Sequence, residues 1–357
     1  MAMTWEKDLK QIFRPEPATV HMGKMKVDPE KCTGCGLCIE NCLFRTWEMG
    51  EDKVPRYKDN WACFSCYNCM VVCPRDAISI AEPYHVDSGF WKTLPHLLPA
   101  LWPLQPQNAE GKPDQWTEVE RAVFTRRSVR NFKDKPVPEP LIRRVLEAGR
   151  FAPTSGNCQP FQFVVVTNKA LINEMNEASF KIINGIYQAY MDDEKVKKVL
   201  ASQYEAAPSP GSWDPRIIVG GIGKSVVARV NPVLLGAPAV ILITADTRSI
   251  GGPHIQVGIS GQNMILVASS LGLKATWVGF VAYCSMVPAI MEKLGIQPPF
   301  TIVSSIVLGY PKFRQEGIVP REFRPIIWHR EGVPGREIEE TPSIPEVKKM
   351  RRTSRRN

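Results

Sequence analysis

The chain lacks any run of about 18 uncharged apolar residues, the length needed to span a bilayer. Its longest apolar piece, 233–245, is interrupted by Gly236 and Pro238 and reads as a buried strand with its approach. Residues 1–14 hold no apolar segment of the kind that opens an export signal, so a cytoplasmic location is expected and a disulfide framework is not. A broad basic face is missing as well. The formal charge is +9, but the last ten residues contribute six positive charges, which leaves +3 on the rest. The folded part is therefore not expected to bind nucleic acid, and the tail reads as a solvated end. Nucleotide signatures are also wanting. No Gly-x-Gly-x-x-Gly follows a strand, and the piece ending Gly223-Lys224-Ser225 has Ile218 where a phosphate loop needs glycine.

Cysteine is what the chain does have, and it is concentrated. Eight of the ten cysteines lie within 42 residues. Cys32, Cys35, Cys38 and Cys42 are separated by two, two and three residues; Cys63, Cys66, Cys69 and Cys73 repeat that spacing, and Pro74 follows. Structural zinc favours two separated pairs, whereas here three thiols crowd together before a fourth, twice over. Such spacing suits iron–sulfur clusters, in which the fourth cysteine of each run reaches the other cluster. The expected ligands are Cys32, Cys35, Cys38 and Cys73 for one [4Fe–4S] centre, and Cys63, Cys66, Cys69 and Cys42 for the second. Gly34 and Gly36 let bare backbone approach the inorganic sulfides. The first run departs from the pattern by ending Cys42-Leu43 rather than Cys-Pro. Residues 24–82 thus resemble a bacterial-type two-cluster ferredoxin domain. So small a module buries little apolar surface, so the clusters are expected to staple it. Trp47, Tyr57 and Trp61 are expected to pack around them.

At 357 residues the chain has room for two or three domains. A polar lead-in, 1–23, precedes the cluster module. After it, 83–116 is rich in proline and tryptophan and reads as a connector pinned along the next domain. That domain spans 117–330, and 331–357 forms a basic tail. Apolar spacing predicts helices over 139–151, 256–271 and 287–294. Strands are predicted at 161–167, 238–244, 275–278 and 302–308. Alternation with short connections implies one main sheet carrying helices.

Three short pieces of this domain carry chemistry. Arg126-Arg127-Ser128-Val129-Arg130-Asn131-Phe132 places guanidiniums beside a hydroxyl, a compact anion site. Ala152-Pro153-Thr154-Ser155-Gly156-Asn157-Cys158-Gln159-Pro160 joins a predicted helix to a predicted strand and is dense in small polar groups. Trp277-Val278-Gly279-Phe280 follows a later strand. His254 reads as a loop residue, Cys158 and Cys284 as small buried hydrophobes, and Tyr283 as a candidate pocket wall.

In this order the three pieces resemble the nitroreductase family of FMN-dependent flavoproteins over 117–330. The resemblance implies an α+β fold, a mixed sheet flanked by helices, beside the small ferredoxin-like domain. It implies that Arg126, Arg127, Ser128 and Arg130 hold the FMN phosphate and ribityl chain. Pro153, Thr154, Ser155 and Asn157 would line the isoalloxazine, with Ser155 and Asn157 reaching it across a homodimer interface. Gly279 would offer its N–H toward flavin N5, with Val278 beside it where relatives often carry an acidic residue. Arg321 and Arg324 are candidates to complete the phosphate site. The fusion suggests an oxidoreductase in which a one-electron partner such as ferredoxin communicates with FMN through the clusters, the flavin acting on a small organic substrate. Two alternatives stand beside it: NAD(P)H as donor at FMN with electrons leaving through the clusters, and a non-catalytic relay or redox-sensing subunit.

Overall fold

The structure, a computed structural model, describes residues 20–58, 63–87, 93, 98–192, 229–315 and 317–347. Trp61, the phosphate-loop-like piece at 220–225 and the basic end from 348 onward lie outside the described residues.

The two cysteine runs form one backbone unit used twice. Left-handed backbone at Gly34, Gly36 and Arg45 recurs at Ser65, Tyr67 and Asp76, in matching positions relative to the cysteines. Glycine adopts this geometry without strain, so the second copy needs compensation. Part of it is visible: Ser65 Oγ accepts from the Tyr84 backbone N–H at 2.7 Å, and Tyr67 is buried. Short helices follow, α1 (Leu37–Asn41) and α2 (Asn68–Val72). Neither is long enough to persist alone. The module's strands come in antiparallel pairs: β1 (Val20–His21) with β6 (His85–Val86), β2 (Lys24–Val27) with β5 (Ile78–Glu82), and β3 (Trp47–Met49) with β4 (Pro55–Tyr57). Its core is Met25, Cys38, Trp47, Tyr67 and Ile78, with cysteines packed among them. Trp47 and Tyr57 pack edge to face there, as their composition led one to expect.

The larger domain opens with α3 (Glu118–Thr125), which begins in a reciprocal cap: Thr117 Oγ1 accepts from the Glu120 N–H, and the Glu120 carboxylate accepts from the Thr117 N–H. Next come α4 (Glu139–Arg150), β7 (Phe161–Val166) and the long α5 (Lys169–Asp192). Then follow β8 (Ala239–Asp246), α6 (Pro253–Ser270), β9 (Lys274–Trp277), α7 (Pro288–Lys293) and β10 (Phe300–Gly309). The sheet runs β7-β8-β10-β9, with every pair antiparallel. A parallel contact comes from the bridge of Ser128 to Ala275. Along β8, Ala239, Ile241, Ile243 and Ala245 face the core shared with α4 and α6. Val240 and Leu242 face the core shared with α5 and a 3₁₀ helix over Gly279–Met286. Because helices cover both faces, this central strand reads as an unbroken apolar run rather than an alternating one. Gly149 and Gly261 set the closeness of the layers. A Cβ on Gly149 would meet the Met264 side chain at 2.6 Å, and one on Gly261 would collide with the Trp277 ring.

The described part of the connector is tied at two places. Ala100 bridges Arg321, with mutual N–H to carbonyl bonds of 2.9 and 3.0 Å. Leu104 bridges Glu346, supported by bonds from Gln105 N–H to the Pro345 carbonyl and from Val347 N–H to the Pro103 carbonyl. The first tie is to the domain onto which pinning was expected; the second is to the segment expected to form the tail. Sequence periodicity did not point to α5, to α3 or to the hairpin β11 (Ile326–Trp328) with β12 (Glu337–Glu339).

Candidate functional site

Arg127 is the focus of the larger domain's site. Its side chain is 2% exposed. Nη1 donates to the carbonyls of Phe124 at 2.8 Å and Arg126 at 2.5 Å. Nε and Nη2 are buried and meet no hydrogen-bond partner among the described residues. Burial, then the neighbouring Arg126 and Arg321 charges, hold its pKa down to about 10. Burial likewise lowers Arg126, with Arg321 and Arg130 adding to the effect, and it lowers Lys274, which feels Arg127 and Arg126. A buried guanidinium with vacant donors among like charges is costly unless an anion joins it. Arg126 Nη1 lies 3.4 Å from Ser128 Oγ, so a hydroxyl completes the cradle. The donor set fits a phosphate monoester.

The same stretch fixes the cradle to the sheet. Val129 N–H donates to the Ala275 carbonyl, which sets Ser128 against β9. At the end of β9, Val278 exchanges bonds with Ser305, its N–H donating to the Ser305 carbonyl and its carbonyl accepting from Ser305 Oγ, both 2.9 Å. Gly279 follows, and a Cβ built there would meet nothing within 4 Å, so open space lies beside that backbone.

The sulfurs gather in two groups. Cys32, Cys35, Cys38 and Cys73 line one cavity together with Gly36, Pro74, Ala77 and Ile78. Cys38 is pushed up to about 11, by burial first, with Cys35 and Cys73 among its like-charged neighbours. Cys63 is pushed up to about 12, again by burial first, and its sulfur neighbours are Cys66 and Cys42. Cys69 moves the same way, with Cys66, Cys63 and Cys42 ahead of Cys38. Such thiols resist ionisation unless a cation receives them, as metal ligation requires. Backbone N–H groups already point at sulfur: Gly34 to Cys32 Sγ at 3.4 Å and Ala77 to Cys73 Sγ at 3.3 Å. The residues fit two clusters with exchanged fourth ligands.

Residues 123–310 match the nitroreductase family, more than half of the chain. The chain belongs to the nitroreductase family. Residues 31–78 match the 4Fe-4S dicluster domain. Over 196 residues, 54% of this chain and 87% of the relative, it is 30% identical to an NADH dehydrogenase of Thermus thermophilus. A 4-nitrobenzoate reductase of Pseudomonas putida is 24% identical over 54% of this chain and 85% of its own length. Among solved structures, a nitroreductase with bound FMN from Desulfitobacterium hafniense covers 58% of this chain and 95% of its own, at 25% identity and a TM-score of 0.43.

Within this domain, the structure gathers some of the sequence candidates and separates others. Arg126, Arg127, Ser128 and Arg321 come together; Lys274 joins them from the first position of β9. Sequence reasoning missed Lys274, whose Nζ donates to Ser269 Oγ at 2.7 Å, because a basic residue opening a strand carries no motif. Arg324 turns instead to Glu322, 2.9 Å away at the surface. Arg130 lies within electrostatic reach of both Arg126 and Cys66. The loop carrying Pro153, Thr154, Ser155 and Asn157 is separate. No hydrogen bond or ion pair joins it to the arginines among the described residues. Thr154 is half-buried, its Oγ1 accepting from the Gln159 N–H, while Pro153, Ser155 and Asn157 are exposed. Phe151, Ile250 and Ile255 are exposed around it, at 70%, 63% and 68%. Cys284 is buried as expected, against Ser179 Oγ at 3.1 Å, but Cys158 is exposed, because the 3₁₀ turn Ser155–Asn157 swings it outward. His254 is exposed in the first turn of α6. Tyr283 is half-buried and stacks on Phe280.

Proposed function

We propose that the chain is an iron–sulfur flavoprotein oxidoreductase whose two [4Fe–4S] clusters and FMN form one electron path ending at a small organic substrate. The observation that carries this reading is the vacant, buried guanidinium of Arg127 on the same chain as eight free cysteines in two matching runs. Arg126, Arg127, Ser128, Arg321 and Lys274 hold the FMN phosphate, and Arg130 faces the clusters from the end of that stretch. Gly279 would offer its backbone N–H to the flavin ring beside Val278, whose own polar groups are committed to Ser305. Val278 brings no carboxylate to that edge, so substrate protonation falls to water or to a hydroxyl of the cofactor. Bound flavin supplies the ability to take electrons singly and give them in pairs.

Pro153, Thr154, Ser155 and Asn157 serve a ring bound by a second subunit. Their exposure beside the exposed Phe151, Ile250 and Ile255 supports a homodimer with these loops at the interface, because large apolar side chains gathered around one loop gain most when a partner covers them. Cys32, Cys35, Cys38 and Cys73 ligate the first cluster; Cys42, Cys63, Cys66 and Cys69 ligate the second. A ferredoxin-like carrier meets the first cluster, and the protein works in the cytoplasm.

A second reading follows from the similarity to two of the relatives named above. An NADH dehydrogenase and a nitrobenzoate reductase suggest a nicotinamide donor at the flavin, with electrons leaving through the clusters. Anaerobic stopped-flow on reconstituted protein separates the two. Clusters bleaching before flavin with reduced ferredoxin, and no reaction with NADH or NADPH, is the expected result. Flavin bleaching first with NAD(P)H would reverse the direction. Iron content well below about eight atoms per chain after reconstitution would sink the two-cluster reading.

A further inference from the structure

Asn41 is 3% exposed and sits where the two modules meet. It closes α1 immediately before Cys42. Its Nδ2 donates to the Asn68 carbonyl at 3.1 Å, immediately before Cys69. Its Oδ1 accepts twice, from Asn131 Nδ2 at 3.0 Å and from Gln315 Nε2 at 3.1 Å. Asn131 is in turn fixed by its carbonyl, which accepts the Lys312 N–H at 2.9 Å. Both acceptor sites of one buried carboxamide are thus taken by the flavin domain, and its donor holds together the two segments that lead into Cys42 and Cys69. Nearby, Asn231 Nδ2 donates to the Leu43 carbonyl at 3.2 Å, and Val71 backs onto Gly317.

Both cysteines so fixed belong to the second group of sulfurs. Asn131 ends the stretch whose other end is the arginine cradle, five residues from Arg126. Between them half-buried Arg130 directly precedes Asn131, which bonds the residue before Cys42. The first group differs: Cys35 is exposed, and the cavity it lines is walled by Thr33, Leu37 and Arg75, all within the cluster module.

We infer that the second cluster, on Cys42, Cys63, Cys66 and Cys69, is the one next to the flavin, and that Asn131 and Arg130 are positioning residues for electron passage between them. The inference rests on the FMN reading above. Asn131, through Asn41, fixes the separation; Arg130 stabilises the extra negative charge of the reduced second cluster and so raises its potential relative to the first. In each transfer the reduced second cluster would give up one electron, returning to its oxidised level, and bound flavin would take it. Two transfers with two solvent protons complete flavin reduction, and an external low-potential one-electron donor refills the clusters.

The test uses holoprotein and four single variants. Redox titration followed by electron paramagnetic resonance gives the potential of each cluster, with Cys35→Ser identifying the first by its displaced signal. Arg130→Gln is expected to lower the second potential and leave the first in place. Asn131→Ala is expected to slow flavin reduction by the prereduced clusters several-fold, with iron content and FMN affinity at the wild-type level. Gln315→Ala, which removes the other donor to Asn41, is expected to do the same to a smaller degree and stands in for Asn131→Ala if that variant loses iron. Unchanged potentials in Arg130→Gln, or a shift confined to the first cluster, would overturn the inference. So would wild-type electron passage in the asparagine and glutamine variants. Failure of the FMN reading looks different: wild-type protein then takes up no flavin, whereas the cluster potentials still report on Arg130.

Discussion

Arg127→Met tests the anion cradle most directly. Methionine keeps the bulk of the aliphatic stem and removes the charge. A guanidinium held near pKa 10 by burial and by Arg126 and Arg321 carries roughly 3 kcal/mol of unrelieved charge. This penalty acts at every pH below about 10 and fades only as the pH rises past that value, since a depressed base destabilises the fold wherever it must stay protonated. Against this relief stand the lost bonds to the Phe124 and Arg126 carbonyls, about 1 kcal/mol each. The flavin-free variant should therefore be more stable than wild type by about 1 kcal/mol near neutral pH. Its FMN affinity should move the opposite way. Two charge-assisted hydrogen bonds to phosphate are worth roughly 1.5–3 kcal/mol each, so dissociation should weaken by roughly a hundredfold or more. Flavin fluorescence titration reads the affinity, and thermal melts with and without FMN read the stability. Wild-type protein should gain far more from FMN than the variant does. A variant that binds FMN within about threefold of wild type would refute the cradle, as a tenfold loss already requires only about 1.4 kcal/mol.

Three further outcomes follow from the same geometry. Arg321→Ala should weaken FMN binding, whereas Arg324→Ala, whose side chain pairs with Glu322, should leave it unchanged in the same titration. Gly261→Ala drives a methyl into the Trp277 ring and should cost about 1–3 kcal/mol, read as a lowered melting temperature of the flavin domain. Oxidative removal of the clusters should unfold the ferredoxin-like module while sparing the sheet: in hydrogen exchange, amides of α1 and α2 should lose protection and those of β8 and β10 should keep it.

Much of the cluster site is legible in the chain because ligand spacing is itself the chemistry: a short loop must present three sulfurs to one cluster. The left-handed positions are legible only in the first run, where glycine marks two of them; in the second, Ser65 and Tyr67 conceal the same backbone. In the flavin domain, the strands read from apolar runs lie where expected, since β8 is covered on both faces. The long helix Lys169–Asp192 carries an apolar stripe, Ile172, Met175, Ile183 and Tyr187, but no charge or motif drew attention to it. Arg321 and Arg324 were indistinguishable by sequence, being three residues apart in a proline-flanked segment. Both are exposed, but the Arg321 charge lies near Arg126 and Arg127 whereas Arg324 pairs with Glu322. Lys274 was hidden for the opposite reason, since a strand's first residue reads as a solvent-facing end. The junction at Asn41 could not be read at all, because its partners lie 90 and 274 residues away.

That separation bears on how the molecule is built. During synthesis all eight cluster ligands leave the ribosome well before Asn131, Asn231, Gln315 and Gly317, which seat the module, and before Pro345 and Val347, which tie down the connector. The nascent module therefore exists first as an untethered domain with its second set of sulfurs accessible. Assembly factors that deliver iron and sulfide would have their opening then, and docking would shut the second site behind them.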